Sequence, residues 1–187
     1  KMILKPLNGY GGKGVIVMEK SAAQSARSLL DFYIGDGDKG NYVILQEYVE
    51  GAEQGDIRIL MLNGKPIGAM RRIPPPDDVR SNVRAGGTVL KHQLTEQEKK
   101  LCAHIGPKLA RDGLFFAGID VINGKLIEVN VMSPGGIARI NRLNKVRLQE
   151  KVIDFIENIL ESKQGVSPRK QVFQPLLAAA ELQIDLE

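Results

Sequence analysis

Residues 118–130 read GIDVINGKLIEVN and place Asp120, Glu128 and Asn130 on two otherwise apolar runs that meet at Asn123-Gly124. An Asn-Gly pair between apolar runs is a strong hairpin signal. Glu128 and Asn130 are two apart, so they share a face of their strand. Asp120 joins that face only in one register. A two-residue turn pairs Ile122 with Lys125 and turns Asp120 away from Glu128. A three-residue loop over Ile122, Asn123 and Gly124, with Gly124 left-handed and a bulge, pairs Val121 with Lys125 and sets Asp120 diagonal to Glu128. Diagonal neighbours sit about 7–8 Å apart, a span that one or two cations bridge. Two carboxylates and an amide oxygen suit Mg²⁺ or Mn²⁺, which also take substrate phosphates as ligands. The competing reading is the polar outer face of an edge hairpin. Three acceptors with no basic partner on that face would repel one another. The metal reading therefore predicts the bulged turn.

A second constellation is the glycine-rich NGYGGKG, residues 8–14. It is not a Walker A loop, because no Lys-Ser or Lys-Thr pair follows the glycines. It is not a Rossmann fingerprint either, because a strand follows it and not a helix. Glycines between two strands form either a plain turn or a flap whose backbone N–H groups approach phosphates. Lys5, on the preceding apolar strand, needs an anion or must reach solvent along its stem. A third is the basic stretch MRRIPPPDDVRSNVRAGG, with Arg71, Arg72, Arg80 and Arg84. Guanidinium forks match phosphate and carboxylate, and a solvated basic face is the alternative. Asp56 and Arg58 share a strand face, where a structural ion pair is the alternative to a ligand-binding role. Cys102 reads as a small buried side chain in a helix. His92 and His104 match no ligand spacing, and no Ser-His-Asp or Cys-His arrangement is evident.

These residues need elements to hold them. Residues 2–7 read as a strand, followed by the glycine loop and a second strand, VIVME. Ser21 with Gln24 forms a capping box for a helix with Ala22, Ala26, Leu29, Leu30 and Tyr33 on its apolar face; residues 35–41 end that unit. Residues 42–48, YVILQEY, form a continuous apolar run expected to be a central strand. IRILML and KPIGAMRRI are joined by Asn63-Gly64 as a hairpin, and the prolines from Pro74 open a long loop to Gly87. Thr95 with Glu98 caps a helix that ends at Gly113. The metal-candidate hairpin follows, then an amphipathic helix over 147–162, a linker and a short helix over 172–182. Strands, helix, strands, loop, helix, hairpin, helix is an α+β order with a largely antiparallel sheet and flanking helices.

Composition excludes several classes. At 187 residues the chain is long enough to bury a core. Its net charge of +4 and 5% aromatic content suit a small anionic ligand and not a single-stranded nucleic-acid groove. No apolar run is long enough to span a bilayer as a helix. The single cysteine rules out a disulfide framework and points to a reducing, cytoplasmic compartment.

The order of a lysine strand, glycine flap, helix, apolar hinge strand, Asp-x-Arg strand, arginine loop, and Asp with Glu-x-Asn on a final hairpin resembles the ATP-grasp ligases. The segments that carry it are ILKPLNGYGGKGV, ILQEYVEG, GDIRILMLNGKPIGAMRRIP, VRSNVRAGG and GIDVINGKLIEVNVMSP, over residues 2–159. Among these ligases the sequence is similar to the prokaryotic glutathione synthetases, and ribosomal-protein S6 glutamate ligases share several of the signals.

The resemblance implies an ATP-grasp fold and the C-terminal portion of a larger enzyme that does not turn over alone. Residues 1–49 would be the remainder of the small subdomain, 50–162 the C-terminal subdomain with the metal site, and 163–187 a linker and tail. It implies ATP and Mg²⁺ (or Mn²⁺) as cofactors. Lys5 would contact the phosphates under a flap that includes Gly9, Gly11, Gly12 and Gly14. Gln46, Glu47, Tyr48 and Val49 would form the adenine hinge. Asp56, near the ribose, and Arg58 would complete the nucleotide set. Asp120, Glu128 and Asn130 would hold the metal. Arg72 and Arg80, with Asn82, would steady the transferred phosphate and the substrate carboxylate beneath a lid over 73–87.

The implied reaction joins γ-glutamylcysteine and glycine through an acyl phosphate. The alternatives are an S6-type glutamate ligase or another carboxylate-amine ligase, and a non-catalytic nucleotide-binding module. Small molecules are the implied partners, with no nucleic acid and no membrane; a homo-oligomer is left open. Two departures from the family fall where the peptide substrate belongs: the prolines Pro74, Pro75 and Pro76 in the lid, and Gly135-Gly136 after Ser133-Pro134, where a threonine is common.

Overall fold

The structure is a computed structural model that describes residues 1–8, 11–19, 23–35, 42–75 and 86–164. Gly9, Arg80 and Asn82 lie outside the described residues. So do Ser21 of the first expected capping box, most of the segment from 35 to 41, positions 76–85 of the expected lid, and the expected helix over 172–182. The chain divides into two compact units, one of Lys1–Gly55 with Arg72–Thr88, the other of Asp56–Arg71 with the chain from Val89 on.

The first unit holds a three-stranded sheet in the order β2-β1-β3, from β1 (Met2–Pro6), β2 (Ile16–Met18) and β3 (Val43–Glu47), with helix α1 (Ala23–Ile34). Both pairings are antiparallel, with Leu4 opposite Ile16 on one side and Leu45 on the other. Leu4 is fully buried, as expected of the middle strand. The apolar run of β3 was expected in the centre of a sheet; it lies at an edge, with Tyr42, Ile44 and Leu45 exposed. An apolar run reports affinity for apolar surroundings, and neighbours distant in sequence decide whether both faces are covered. A 3₁₀ turn at Ala52–Gln54 ends this stretch.

The second unit is built on a five-stranded sheet in the order β6-β5-β4-β7-β8. Its strands are β4 (Asp56–Leu62), β5 (Lys65–Ile73), β6 (Thr88–Lys91), β7 (Phe116–Ile122) and β8 (Lys125–Asn130), with helices α2 (Glu96–Arg111), α3 (Ile137–Asn144) and α4 (Leu148–Gln164). The last two residues of β5 and the first of β6 belong to the first unit. On one face β4 and β7 are apolar throughout; on the other Leu60, Leu62 and Phe116 give way to Asp56, Arg58 and Asp120, and both faces are covered. Ile59, Met61, Ala117, Ile119 and Val121 pack with Cys102 and Leu109 of α2. On the opposite face Leu60 and Met70 pack with Ile140 of α3 and Leu148 of α4. Each fully buried aliphatic side chain here contributes about 1.5–3 kcal/mol, so the positions of β4 and β7 are tightly fixed.

Local signals explain the element ends. Asn63-Gly64 and Asn123-Gly124 both adopt positive φ, 46° and 73° in the first and 47° and 73° in the second, which is the type I′ geometry of a two-residue hairpin. Thr95 accepts from the Glu98 N–H and the Glu98 carboxylate accepts from the Thr95 N–H, completing the expected capping box at α2. Helix α2 ends at Asp112, with Gly113 at φ 77° beyond it. Two elements had no sequence expectation, the four-residue β6 and the two-turn α3.

Candidate functional site

Five charged side chains are buried among the described residues: Asp56, Arg58, Arg72, Glu98 and Asp120. Burying charge is costly unless it is paired or used. Glu98 is accounted for by the α2 cap and by His92, whose Nε2 lies 2.8 Å from the carboxylate. The other four all belong to the set expected from the sequence.

In the second unit, three of the candidate residues form one row across neighbouring strands. Arg58 of β4 is the register partner of Asp120 of β7, and Asp120 is the partner of Glu128 of β8. Partners directly across antiparallel strands share a face, so all three side chains emerge together. Asn130 is in the next row, opposite Gly118, and its Nδ2 donates to Asp120 Oδ2 at 3.2 Å. Asp120 is buried and Glu128 is exposed.

The register that achieves this differs from the one expected. The turn is the two-residue Asn123-Gly124 form, with Ile122 opposite Lys125 and Val121 opposite Leu126. Carried on regularly, that register would put Ile127 opposite Asp120 and turn Glu128 to the other face. Instead the register shifts between Asp120 and Val121, so Ile127 is the extra residue of a bulge within β8. The bulge brings Asp120 directly opposite Glu128, closer than the diagonal placement expected from a bulged turn. A single extra residue inside a strand leaves the turn chemistry untouched, which is why the Asn-Gly signal could not locate it.

A second expectation fails in an instructive way: the face does carry a basic partner. Arg58 Nε and Nη2 donate to the two oxygens of Asp120, the latter at 2.8 Å, as a buried bidentate ion pair. Its Nη1 donates to the Gly135 carbonyl at 3.2 Å. Asp56 is buried at the start of β4, and the Arg58 fork goes to Asp120. Gly118, which no motif singled out, makes room for this. A Cβ there would lie 3.2 Å from Pro134 Cβ and 3.3 Å from Arg58 Cδ. Glycine inside an apolar strand often marks such a close approach, and that was the available signal.

The donor set fits a hard divalent cation. It consists of two carboxylates and an amide, all oxygen ligands, on one face. An ionised carboxylate offers about four lone-pair sites, so Asp120 can serve Arg58 and still coordinate. Among the described residues no cluster of three or more His, Cys, Asp or Glu side chains forms an alternative cage.

In the first unit, Lys5 and Gln46 lie on one face of the small sheet, because Lys5 pairs with Ile44 and Ile3 with Gln46. Leu4 and Leu45 occupy the other. Gly11, Gly12 and Gly14 all have positive φ between β1 and β2, and a Cβ at Gly14 would press to 2.9 Å on Pro6. This loop shape requires glycine. At the expected hinge, the Tyr48 N–H already donates to the Lys1 carbonyl. The Tyr48 hydroxyl donates to Glu53 at 3.3 Å, and burial, then the Glu53 carboxylate, push the phenol above its ordinary range. Glu47 is exposed, and Gln46 and Val49 are partly covered. Arg72 is buried near the end of β5. Its carbonyl lies 1.9 Å from where a Cβ would fall on Gly55, which sits at φ 96°.

Residues 1–145 match the family model described as prokaryotic glutathione synthetase, ATP-grasp domain. The glutathione synthetase of Thermosynechococcus vestitus is 44% identical over 154 residues, covering 82% of this chain and 48% of the relative. That of Gloeobacter violaceus is 41% identical over 156 residues, covering 83% of this chain and 47% of the relative. The chain thus spans about half the length of the curated relatives it matches. Among solved structures, the ATP-grasp ligase PsnB, complexed with a phosphomimetic variant of its minimal precursor, Mg and ADP, superposes with a TM-score of 0.55 at 19% identity. That alignment covers 84% of this chain and 46% of PsnB, and it shows a shared fold.

Proposed function

The chain belongs to the prokaryotic glutathione synthetase family, within its ATP-grasp domain, and on that premise we propose that it provides nucleotide- and metal-binding machinery for an ATP-dependent ligase. The reaction is the joining of γ-glutamylcysteine and glycine into glutathione, with release of ADP and phosphate. The carboxylate of γ-glutamylcysteine takes the γ-phosphoryl group of ATP to form an acyl phosphate. The glycine amine attacks that carbonyl, the C–N bond forms, and phosphate leaves.

The observation that carries the reading is the buried Arg58–Asp120 pair set directly across from Glu128, with Asn130 bonded to Asp120. Asp120, Glu128 and Asn130 would hold Mg²⁺ or Mn²⁺, which when bound neutralises phosphate charge during transfer. Lys5 supplies a further positive charge toward the phosphates, and the positive-φ glycines 11, 12 and 14 let backbone N–H groups approach them. Arg72 steadies the substrate carboxylate and the transferred phosphoryl group, as do Arg80 and Asn82. Positioning and electrostatics of this kind supply most of the rate in phosphoryl transfer. The three units proposed along the sequence are 1–49, 50–162 and 163–187; the compartment is the cytoplasm.

The test is an assay of the natural full-length protein with ATP and Mg²⁺. Phosphate release is expected with γ-glutamylcysteine and glycine together. Release with glutamate and a peptide acceptor, and not with that pair, would overturn the substrate assignment in favour of an S6-type ligase.

A further inference from the structure

We infer that Arg58 is a counter-charge that keeps the Asp120–Glu128–Asn130 site weak for divalent cations until nucleotide phosphates are present. This rests on the reading of that set as a metal site, and adds how the site is governed.

Asp120 and Glu128 together carry two negative charges, and Arg58 beside them removes one. The pair is buried on both sides, with side-chain exposures of 8% for Arg58 and 5% for Asp120, so water screens it poorly. Nor can the guanidinium swing aside easily. Nε and Nη2 are spent on Asp120 and Nη1 on the Gly135 carbonyl. The stem lies in the slot left by Gly118. A cation that coordinates Asp120 therefore meets a fixed positive charge a few ångströms away. A nucleotide brings three or more negative charges and its own oxygen ligands, which offset that repulsion. Mg²⁺ sites of one or two carboxylates completed by substrate phosphates work in this way.

The sign of the effect separates this from a purely structural strut. If Arg58 only held the carboxylate in place, its loss would weaken cation binding. As a counter-charge, its loss strengthens binding in the absence of nucleotide. The test is a Mn²⁺ titration at pH 8 with and without ADP, followed by electron paramagnetic resonance of free Mn²⁺. It uses the whole chain as wild type, Arg58→Gln and Arg58→Lys, each checked for native circular dichroism. Gln keeps a donor for Asp120 and drops the charge; Lys keeps the charge and drops the fork.

Arg58→Gln is expected to tighten nucleotide-free Mn²⁺ binding by about tenfold, and Arg58→Lys to stay within about threefold of wild type. A folded Arg58→Gln chain that binds Mn²⁺ no tighter than wild type overturns the inference. Should that variant not fold, the wild-type chain decides. Nucleotide-free binding tighter than roughly 0.1 mM overturns the inference, and weaker binding supports it. A wild-type chain that takes no Mn²⁺ even with ADP refutes the metal reading itself. One that takes Mn²⁺ with ADP, while Arg58→Gln gains nothing without it, refutes only the role of Arg58.

Discussion

Replacing Gly106 with alanine should destabilise the protein, although it adds a better helix former to the middle of α2. The Asn63-Gly64 turn packs its backbone directly on the helix at this point. A Cβ on Gly106 would lie 2.0 Å from the Gly64 carbonyl oxygen and 2.9 Å from its carbon. An ordinary carbon–oxygen contact is about 3.3 Å, so the two backbones must part by roughly 1.3 Å. No rotamer change relieves this, because both partners are main chain. The intrinsic gain of alanine over glycine in a helix is about 1 kcal/mol. Overpacking typically costs about 1–3 kcal/mol, and a backbone clash of this depth belongs at the top of that range. The net loss is then about 2 kcal/mol, or a fall in Tm of about 4–8 °C for a chain of this size. Urea unfolding of wild type and Gly106→Ala, with m unchanged, measures it directly. Gly113→Ala is the control: it has φ 77° and nothing within 4 Å of its Cβ, so it carries only left-handed strain of about 1 kcal/mol. If Gly106→Ala is as stable as wild type, the close approach of the β4–β5 turn to α2 is wrong.

Other substitutions probe other contacts. Asp120→Ala leaves the buried Arg58 guanidinium without its carboxylate and should cost about 3–5 kcal/mol; a loss below about 1 kcal/mol in urea unfolding would contradict the buried pair. Gly55→Ala drives a Cβ into the Arg72 carbonyl at a backbone φ of 96°, and should cost more than the roughly 1 kcal/mol of left-handed strain alone, read as a lower urea midpoint. Burial, then the Glu98 carboxylate, push the Cys102 thiol up to about 11. The fold favours the protonated thiol, so this contribution to stability is intact below about pH 9, the ordinary thiol value, and is lost as pH rises through about 11. Cys102 should therefore resist iodoacetamide at pH 8 in the native chain and react on unfolding; rapid labelling of the native chain would contradict its burial.

What was legible in the sequence was chemistry and local geometry. The Asn63-Gly64 hairpin and the Thr95–Glu98 box are set by residues within a few positions of each other, and the structure shows them as read; Asn123-Gly124 marks a hairpin as expected, but as a two-residue turn and not the bulged loop. Period-two spacing put Glu128 and Asn130 on one face without help from the rest of the chain. What depends on distant partners was harder to read. Arg58 meets Asp120 across 62 positions, so its spacing to Asp56 could not reveal that partner. The apolar β3 lies at an edge because exposure follows from which strands flank it. The Ile127 bulge is one extra residue with no turn chemistry of its own, and only the pairing of β7 with β8 reveals it. Helix α3 was missed because two glycines precede it and it makes only two turns, although Ile137, Ile140 and Leu143 recur at helical spacing and pack in the core.

In the proposed function, Glu128, exposed on the strand face it shares with Asp120, acts with Asp120 to bind nucleotide through a divalent cation. Thermal unfolding with ADP, in Mg²⁺ or in EDTA, tests it for wild type and Glu128→Ala. At ADP near a hundred times its Kd, binding should add about 2.7 kcal/mol and raise the wild-type Tm by about 5–10 °C in Mg²⁺. The shift should shrink in EDTA and vanish in Glu128→Ala, whose Tm without ligand should stay within about 3 °C of wild type, as for an exposed substitution. An equal ADP-induced shift in Glu128→Ala, or one in EDTA as large as in Mg²⁺, would contradict it.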